Sequence, residues 1–145
     1  MKKSPELIAK EKKISFFQSL EKNIDKETED FFKNKLQSFE LPKNLKLNEM
    51  KEELEKEKIR VKKELFENLE RELDEIFKRY GIAKSSSIDS VIIDRAMDKN
   101  LKEYEKQALN SLKKKLMLFT INKLTVRKIL NDVDFKKIYE RKKSH

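Results

Sequence analysis

Turn-forming residues are almost missing from this chain: Gly81 is the only glycine, and Pro5 and Pro42 are the only prolines among 145 residues. Charged residues make up 43% of the sequence and hydrophobic residues 37%, a composition that favours long helices over sheets. A chain of this length forms one domain of ordinary size. We therefore expect residues 1–145 to fold as a single helical domain.

The first helix is predicted at residues 5–39. Ser4, Pro5 and Glu6 supply a cap, a first-turn proline and a first-turn acid, which together favour a helix start. Apolar residues then recur at helical spacing until Pro42, whose ring and missing N–H end the run. The apolar stripe consists of Leu7, Ile14, Phe17, Leu20, Ile24, Phe31 or Phe32, Leu36 and Phe39.

The second helix is predicted at residues 48–80. Asn48 is placed to cap its start, and Gly81 follows its end, where glycine is favoured. Acid-before-base pairs four residues apart, such as Glu67 with Arg71, indicate an exposed and solvated outer face. The apolar stripe consists of Met50, Leu54, Val61, Leu65, Leu69, Leu73, Phe77 and Tyr80.

The third helix is predicted at residues 87–121, with a capping box formed by Ser86 and Asp89 at its start. The basic stretch 122–145 is expected to add one or two short helices. Thr125 would cap the first, which ends at Leu130. The second would be capped by Asp132 or Asp134 and would turn Phe135, Ile138 and Tyr139 inward.

The expected fold is all-α, an elongated antiparallel three-helix bundle with one or two short C-terminal helices. Short connections make neighbouring helices antiparallel, and each helix of about 33 residues spans roughly 50 Å. The apolar steps of three and four residues lack a strict seven-residue repeat, which disfavours a long two-stranded coiled coil.

Both ends of the bundle carry apolar residues that need cover. The segment from Leu116 to Ile121 has almost no polar face. We expect the connection after the first helix to cover one side of it, with either the tail or another chain covering the rest. The residues of this connection that would cover the segment are Phe39, Leu41, Leu45 and Leu47. At the opposite end we expect Leu7, Ile8 and the run Val91, Ile92 and Ile93 to be buried.

Positive charge is concentrated at the C-terminal end. Residues 82–145 contain 16 Lys and Arg against 8 Asp and Glu, whereas residues 1–81 are nearly balanced. A concentrated positive field attracts anionic partners. The predicted contact residues for a protein partner or nucleic acid are Lys113, Lys114, Lys123, Arg127, Lys128, Lys136, Lys137, Arg141, Lys142 and Lys143.

The common catalytic frameworks are missing. The chain has no cysteine, its only histidine is the last residue, and a single glycine cannot build a phosphate-binding loop. We therefore expect no enzyme activity, no catalytic or metal-binding residues and no cofactor. Charged residues interrupt any signal-peptide pattern, and the longest apolar run is too short for a membrane helix, so we expect a cytoplasmic protein that does not enter membranes.

These features favour a non-enzymatic scaffold or adaptor that docks an acidic protein partner through its basic C-terminal end. The alternative is a nucleic-acid-binding protein that contacts phosphates through the same region. Lysines outnumber arginines 30 to 6, which favours phosphate contacts over base recognition. Self-association through the apolar end stays open as well.

Overall fold

The computed structural model describes residues 4–86 and 89–132. Helix α1 spans Pro5–Asp30 and continues into a π-helical turn at Phe31–Lys35 and a 3-10 turn at Leu36–Ser38. Helix α2 spans Leu47–Ser86 and helix α3 spans Ser90–Asp132. No strand occurs within these residues, so the prediction of an all-α fold is confirmed.

The start of α1 follows its sequence signals. The Ser4 hydroxyl accepts a hydrogen bond of 3.2 Å from the backbone N–H of Leu7, and Pro5 occupies the first turn, where its missing N–H is harmless. Near the other end, the buried Thr28 hydroxyl donates to the carbonyl of Ile24 at 2.7 Å. The regular α-helix ends two residues later, where the π-helical turn begins. The expected helix at 5–39 is therefore regular only to Asp30.

Helix α2 passes through Gly81, so the predicted end at residue 80 is wrong. A Cβ atom on Gly81 would lie 2.7 Å from the carbonyl oxygen of Pro5 and 3.2 Å from the Cβ of Ala9. Glycine is needed here because α1 packs against the α2 backbone, and not because the helix stops. The helix continues to Ser86, whose hydroxyl bonds the carbonyl of Ile82 at 3.1 Å.

Helix α3 is longer than predicted at its C-terminal end. The predicted cap at Ser86 is wrong, because Ser86 belongs to α2, and the carbonyl of Asp89 instead accepts the bonds that begin α3, from Ile92 and Ile93. The break expected at Thr125 is also wrong, since its hydroxyl donates to the carbonyl of Ile121 at 2.7 Å within a continuous helix. The second predicted short helix, with Phe135, Ile138 and Tyr139, falls on residues outside the described part of the chain.

The three helices share one hydrophobic core. It contains the largest fully buried side chains of every helix, including Leu20 and Ile24 of α1, Leu54 and Leu73 of α2, and Leu112 of α3. Two positions of the predicted α1 stripe are exposed instead, namely Leu7 and Ile14. Phe16 is buried in place of Phe17, which is only partly buried beside it.

Ion pairs between helices show the direction of each helix. As residue numbers increase along α1, the numbers of the α2 residues that pair with them decrease. The same holds for the pairs between α2 and α3. The α1–α2 pairs are Lys13 with Glu70 at 2.8 Å, Glu21 with Lys62 at 2.6 Å and Asp25 with Lys58 at 2.8 Å. The α2–α3 pairs are Lys84 with Asp94 at 2.9 Å, Glu64 with Lys115 at 3.8 Å and Glu49 with Arg127 at 2.5 Å. Helices adjacent in sequence are therefore antiparallel.

The expected burial at the end of the fold where α2 meets α3 is wrong for three residues. Leu7, Val91 and Ile92 are exposed, whereas Ile8 and Ile93 pack partly against the core. One turn of a helix at the end of a fold has neighbours on one side only. A run of three branched residues therefore cannot turn all its side chains inward.

Candidate interaction surface

The predicted contact residues of α3 differ in what they touch. Three of them form ion pairs with acids of the other two helices. The pairs are Lys113 with Glu27 of α1 at 3.2 Å, Lys123 with Glu53 of α2 at 3.8 Å and Arg127 with Glu49 of α2 at 2.5 Å. These acids partly neutralise the positive charge of this region, because the packing of α3 against α1 and α2 brings them beside it.

Arg127 also holds the connection before α2 against α3. One of its guanidinium N–H groups donates to the carbonyl of Asn44 at 3.2 Å, and the Asn44 side-chain amide donates to the Arg127 carbonyl at 3.1 Å. With the Glu49 pair, this makes three contacts between Arg127 and residues from the connection or the first turn of α2. These contacts give Arg127 a structural role.

Lys114 and Lys128 are different. Both side chains are exposed, and within the described part of the chain neither forms an ion pair. Their charges are therefore available to a partner. The other predicted contact residues lie outside the described residues: Lys136, Lys137, Arg141, Lys142 and Lys143.

Large apolar side chains are exposed beside these two lysines. Leu118 is 58% exposed and Ile129 57% exposed, whereas Leu116 and Thr120, on the opposite side of the same helical turns, are buried. Side chains that alternate between buried and exposed at this spacing divide a helix into an inner and an outer face. We call the outer group the α3 apolar surface, and it consists of Leu118, Ile121, Val126, Ile129 and Leu130.

The connection after α1 contacts α3 through Asn44 and Arg127. Its Leu45 is buried in the core, and Leu41 is partly buried against that core. Leu47, which was expected to join them, is exposed. The sequence correctly predicts that this part of α3 lacks a polar face, but which side chains lie outward depends on where α1 and α2 pack.

A polar cluster joins the end of α2 to the start of α3. The hydroxyl of Tyr80 donates to Oδ1 of Asp94 at 2.7 Å, and Nζ of Lys84 donates to Oδ2 at 2.9 Å. Burial, and then the neighbouring Asp94 carboxylate, raise the pKa of Tyr80, while the hydrogen bonds from Tyr80 and Lys84 lower the pKa of Asp94. These shifts keep Tyr80 neutral and Asp94 ionised, so the cluster holds the two helices together as a structural contact.

A groove with a cavity volume of about 590 Å³ lies between the start of α1 and the end of α2. Ala9, Phe77 and Gly81 are among the residues that line it. Two lysines at its edge, Lys13 and Lys78, form ion pairs with acids of α2. Glu6, Lys10 and Asp74 are the other charged residues that line this open groove.

Within residues 4–86 and 89–132, no group of three or more acidic, histidine or cysteine side chains is arranged to hold a metal ion. In the same part of the chain, none of the helices has a sufficiently long apolar stretch to cross a membrane.

Comparison with protein-family models, with curated proteins and with solved structures gave no match for this chain. Functional inference therefore depends on the chemistry of its surfaces.

Proposed function

We propose that this protein is a non-enzymatic scaffold or adaptor, an elongated bundle of three helices that docks an acidic amphipathic helix of a protein partner on the α3 apolar surface. The observation that carries the proposal is the exposure of five large apolar side chains in one part of α3, beside Lys114 and Lys128. Contiguous exposed apolar surface rimmed by polar residues is typical of protein interaction sites.

The shape of the surface favours a helical occupant. Leu118, Ile121 and Ile129 follow one another along a regular α-helix at spacings that keep them on one outer side. A partner helix with apolar residues at every third or fourth position presents a matching stripe. Burial of the exposed half of each side chain stabilises the complex by about 1 kcal/mol per residue.

The charge around the surface favours an acidic occupant. Lys114 and Lys128 have no ion pair within the described residues, whereas Asp132 is the only acid in the last turns of α3. Carboxylates flanking the partner's apolar stripe would pair with both lysines. A second copy of this chain would instead bring four lysines to one interface, and their repulsion disfavours a dimer.

Titration with a synthetic helical peptide of about 20 residues tests the proposal, since helices of this length are stable enough to present a stripe. The peptide carries leucine at every third or fourth position and glutamate beside the stripe. A matched peptide carries lysine in place of glutamate. We expect the acidic peptide to bind at least about 10-fold more tightly, because it alone complements Lys114 and Lys128. Equal affinities would contradict the proposal.

Variants locate the binding surface. Replacement of Leu118, Ile121 and Ile129 by serine is expected to weaken binding of the acidic peptide about 100-fold. The matched control replaces Ile59, Ile82 and Ile92 by serine, three residues with similar exposure elsewhere, and should leave binding unchanged. Retained binding in the α3 variant would contradict the proposal. If the free chain forms a dimer and the three α3 replacements abolish that dimer, the occupant of the surface is a second copy of this chain instead.

A further inference from the structure

The three helices differ in net charge, and among them α3 alone is positive. It has ten Lys and Arg against five Asp and Glu, whereas α1 has five against seven and α2 ten against eleven. The acids of α3 largely face its neighbours: Asp94 bonds Tyr80 and Lys84, Asp98 pairs with Lys12, and Glu105 bonds Asn23. Four cations of α3 pair with acids of α1 and α2, which leaves six outward cations without an ion pair in the described part of the chain.

Four of these outward cations form a row in the first half of α3. They follow one another at steps of four, three and four residues, so they share one side of the helix over about 16 Å. All four are exposed, and within the described part of the chain none forms an ion pair. We call these four residues, Arg95, Lys99, Lys102 and Lys106, the α3 basic row. One acid, Glu103, lies among them in the sequence.

The α3 basic row is separate from the α3 apolar surface, and its chemistry is different. The large apolar residues of the same stretch are turned away from solvent: Met97 and Leu101 are buried and Tyr104 is partly buried. The row therefore lacks the apolar anchors that form the centre of a protein interface, from which lysine is usually depleted. An acidic protein segment is for this reason the less suitable partner.

We propose that the α3 basic row binds the phosphate backbone of nucleic acid without regard to base sequence. A repeating polyanion needs only exposed positive charge at regular intervals, which the row supplies. Three of the four residues are lysines, which act on phosphate as point charges and do not provide planar recognition of bases. The half-buried Tyr104 is not available for base stacking, so affinity depends on charge alone.

The proposal differs from the sequence-based alternative in where nucleic acid is bound. That alternative placed the phosphate contacts in the C-terminal region, at residues such as Lys136, Lys137, Arg141 and Lys142. The two locations can be compared directly because each contains three lysines and one arginine. A third set of the same composition, exposed on α2, is Lys56, Lys63, Lys78 and Arg79.

The experiment measures fluorescence anisotropy of a labelled single-stranded DNA of mixed sequence, titrated with the full chain. Four phosphate contacts predict a slope of about −2.8 in log affinity against log salt, or about a 50-fold loss between 50 and 200 mM KCl. Changing all four residues of the α3 basic row to glutamine should remove at least about nine-tenths of the affinity at low salt. The corresponding α2 variant should lose much less.

Several outcomes would overturn the proposal. One is the absence of DNA binding at low salt. Another is an equal loss of DNA affinity in the variants of the α3 basic row and of α2. The third is a larger loss of DNA affinity in the C-terminal variant than in the variant of the α3 basic row. A scrambled DNA sequence should bind equally, and marked preference for one sequence would contradict charge-only binding. Tighter binding to poly-glutamate or to phosphatidylserine vesicles at matched charge would assign the row to an acidic protein or to a membrane. Circular dichroism checks that each variant is folded. If the fourfold variant is not folded, the double variant K99Q/K102Q replaces it in the measurement.

Discussion

The hydroxyl of Tyr80 donates a 2.7 Å hydrogen bond to the carboxylate of Asp94, which joins the last turns of α2 to the first turns of α3. Lys84 donates to the other oxygen of the same carboxylate at 2.9 Å. The two bonds hold the start of α3 against the end of α2.

Tyr80→Phe is expected to lower the free energy of unfolding by about 1–2 kcal/mol, because a hydrogen bond to a charged acceptor is lost while the ring stays buried. Urea denaturation measures the change. The control is Tyr104→Phe, since Tyr104 makes no hydrogen bond within the described residues and should tolerate the change. Equal effects of both replacements would show that the Tyr80–Asp94 bond does not stabilise the fold.

The contribution of Asp94 is expected to depend on pH. Hydrogen bonds from Tyr80 and Lys84 lower its pKa in the folded state below that in the unfolded chain. Its stabilising effect is therefore complete above the unfolded pKa, near 4, and is lost as the pH falls through the lower folded value. The difference in unfolding free energy between wild type and Asp94→Asn should shrink below about pH 4. A difference that stays constant from pH 7 to pH 3 would contradict this account.

Gly81→Ala is expected to destabilise the fold by about 1 kcal/mol, although alanine is the better helix former by a similar amount. Its Cβ would lie 2.7 Å from the carbonyl oxygen of Pro5, and such overpacking costs about 1–3 kcal/mol. The same substitution in a chain shortened by residues 1–9 should be stabilising instead, because both Pro5 and Ala9 are then gone. Denaturation of the four proteins tests the sign, and a stabilising effect in the full chain would contradict the close contact.

Arg127 and Lys114 are expected to behave differently although both were predicted to contact a partner. A double-mutant cycle of Arg127 with Glu49 should give a coupling of about 0.5–1 kcal/mol that decreases at high salt, since the pair is partly exposed. Lys114→Gln should leave stability unchanged and weaken binding of the acidic peptide. Stability effects of similar size for Arg127→Gln and Lys114→Gln would contradict the separation of structural from binding lysines and arginines.

Helix content was predictable from the sequence because it depends on local signals. Ser4 and Pro5 start α1, and the apolar residues at steps of three and four produce three amphipathic helices. The helix ends were less predictable because they depend on distant contacts. The sequence predicts that a helix ends at Gly81, whereas the structure shows that glycine is needed there because Pro5 lies close to it. The sequence predicts that Thr125 caps a new helix, whereas its hydroxyl donates to the preceding turn of α3.

The candidate interaction surface was predictable in composition but not in arrangement. Sequence patterns located the apolar and basic character of the last third of α3. They could not show that Lys113, Lys123 and Arg127 pair with acids of α1 and α2, because those pairs depend on the register of the packed helices. The same register leaves Leu118 and Ile129 outward.

The most direct test of docking on the α3 apolar surface is a pull-down with the full chain from a native lysate treated with nuclease. We predict that a protein with an acidic amphipathic helix is retained by the wild type and by the variant with serine at Ile59, Ile82 and Ile92. The variant with serine at Leu118, Ile121 and Ile129 should lose it. Retention that disappears on nuclease treatment, or that survives the α3 replacements, would contradict the proposed function.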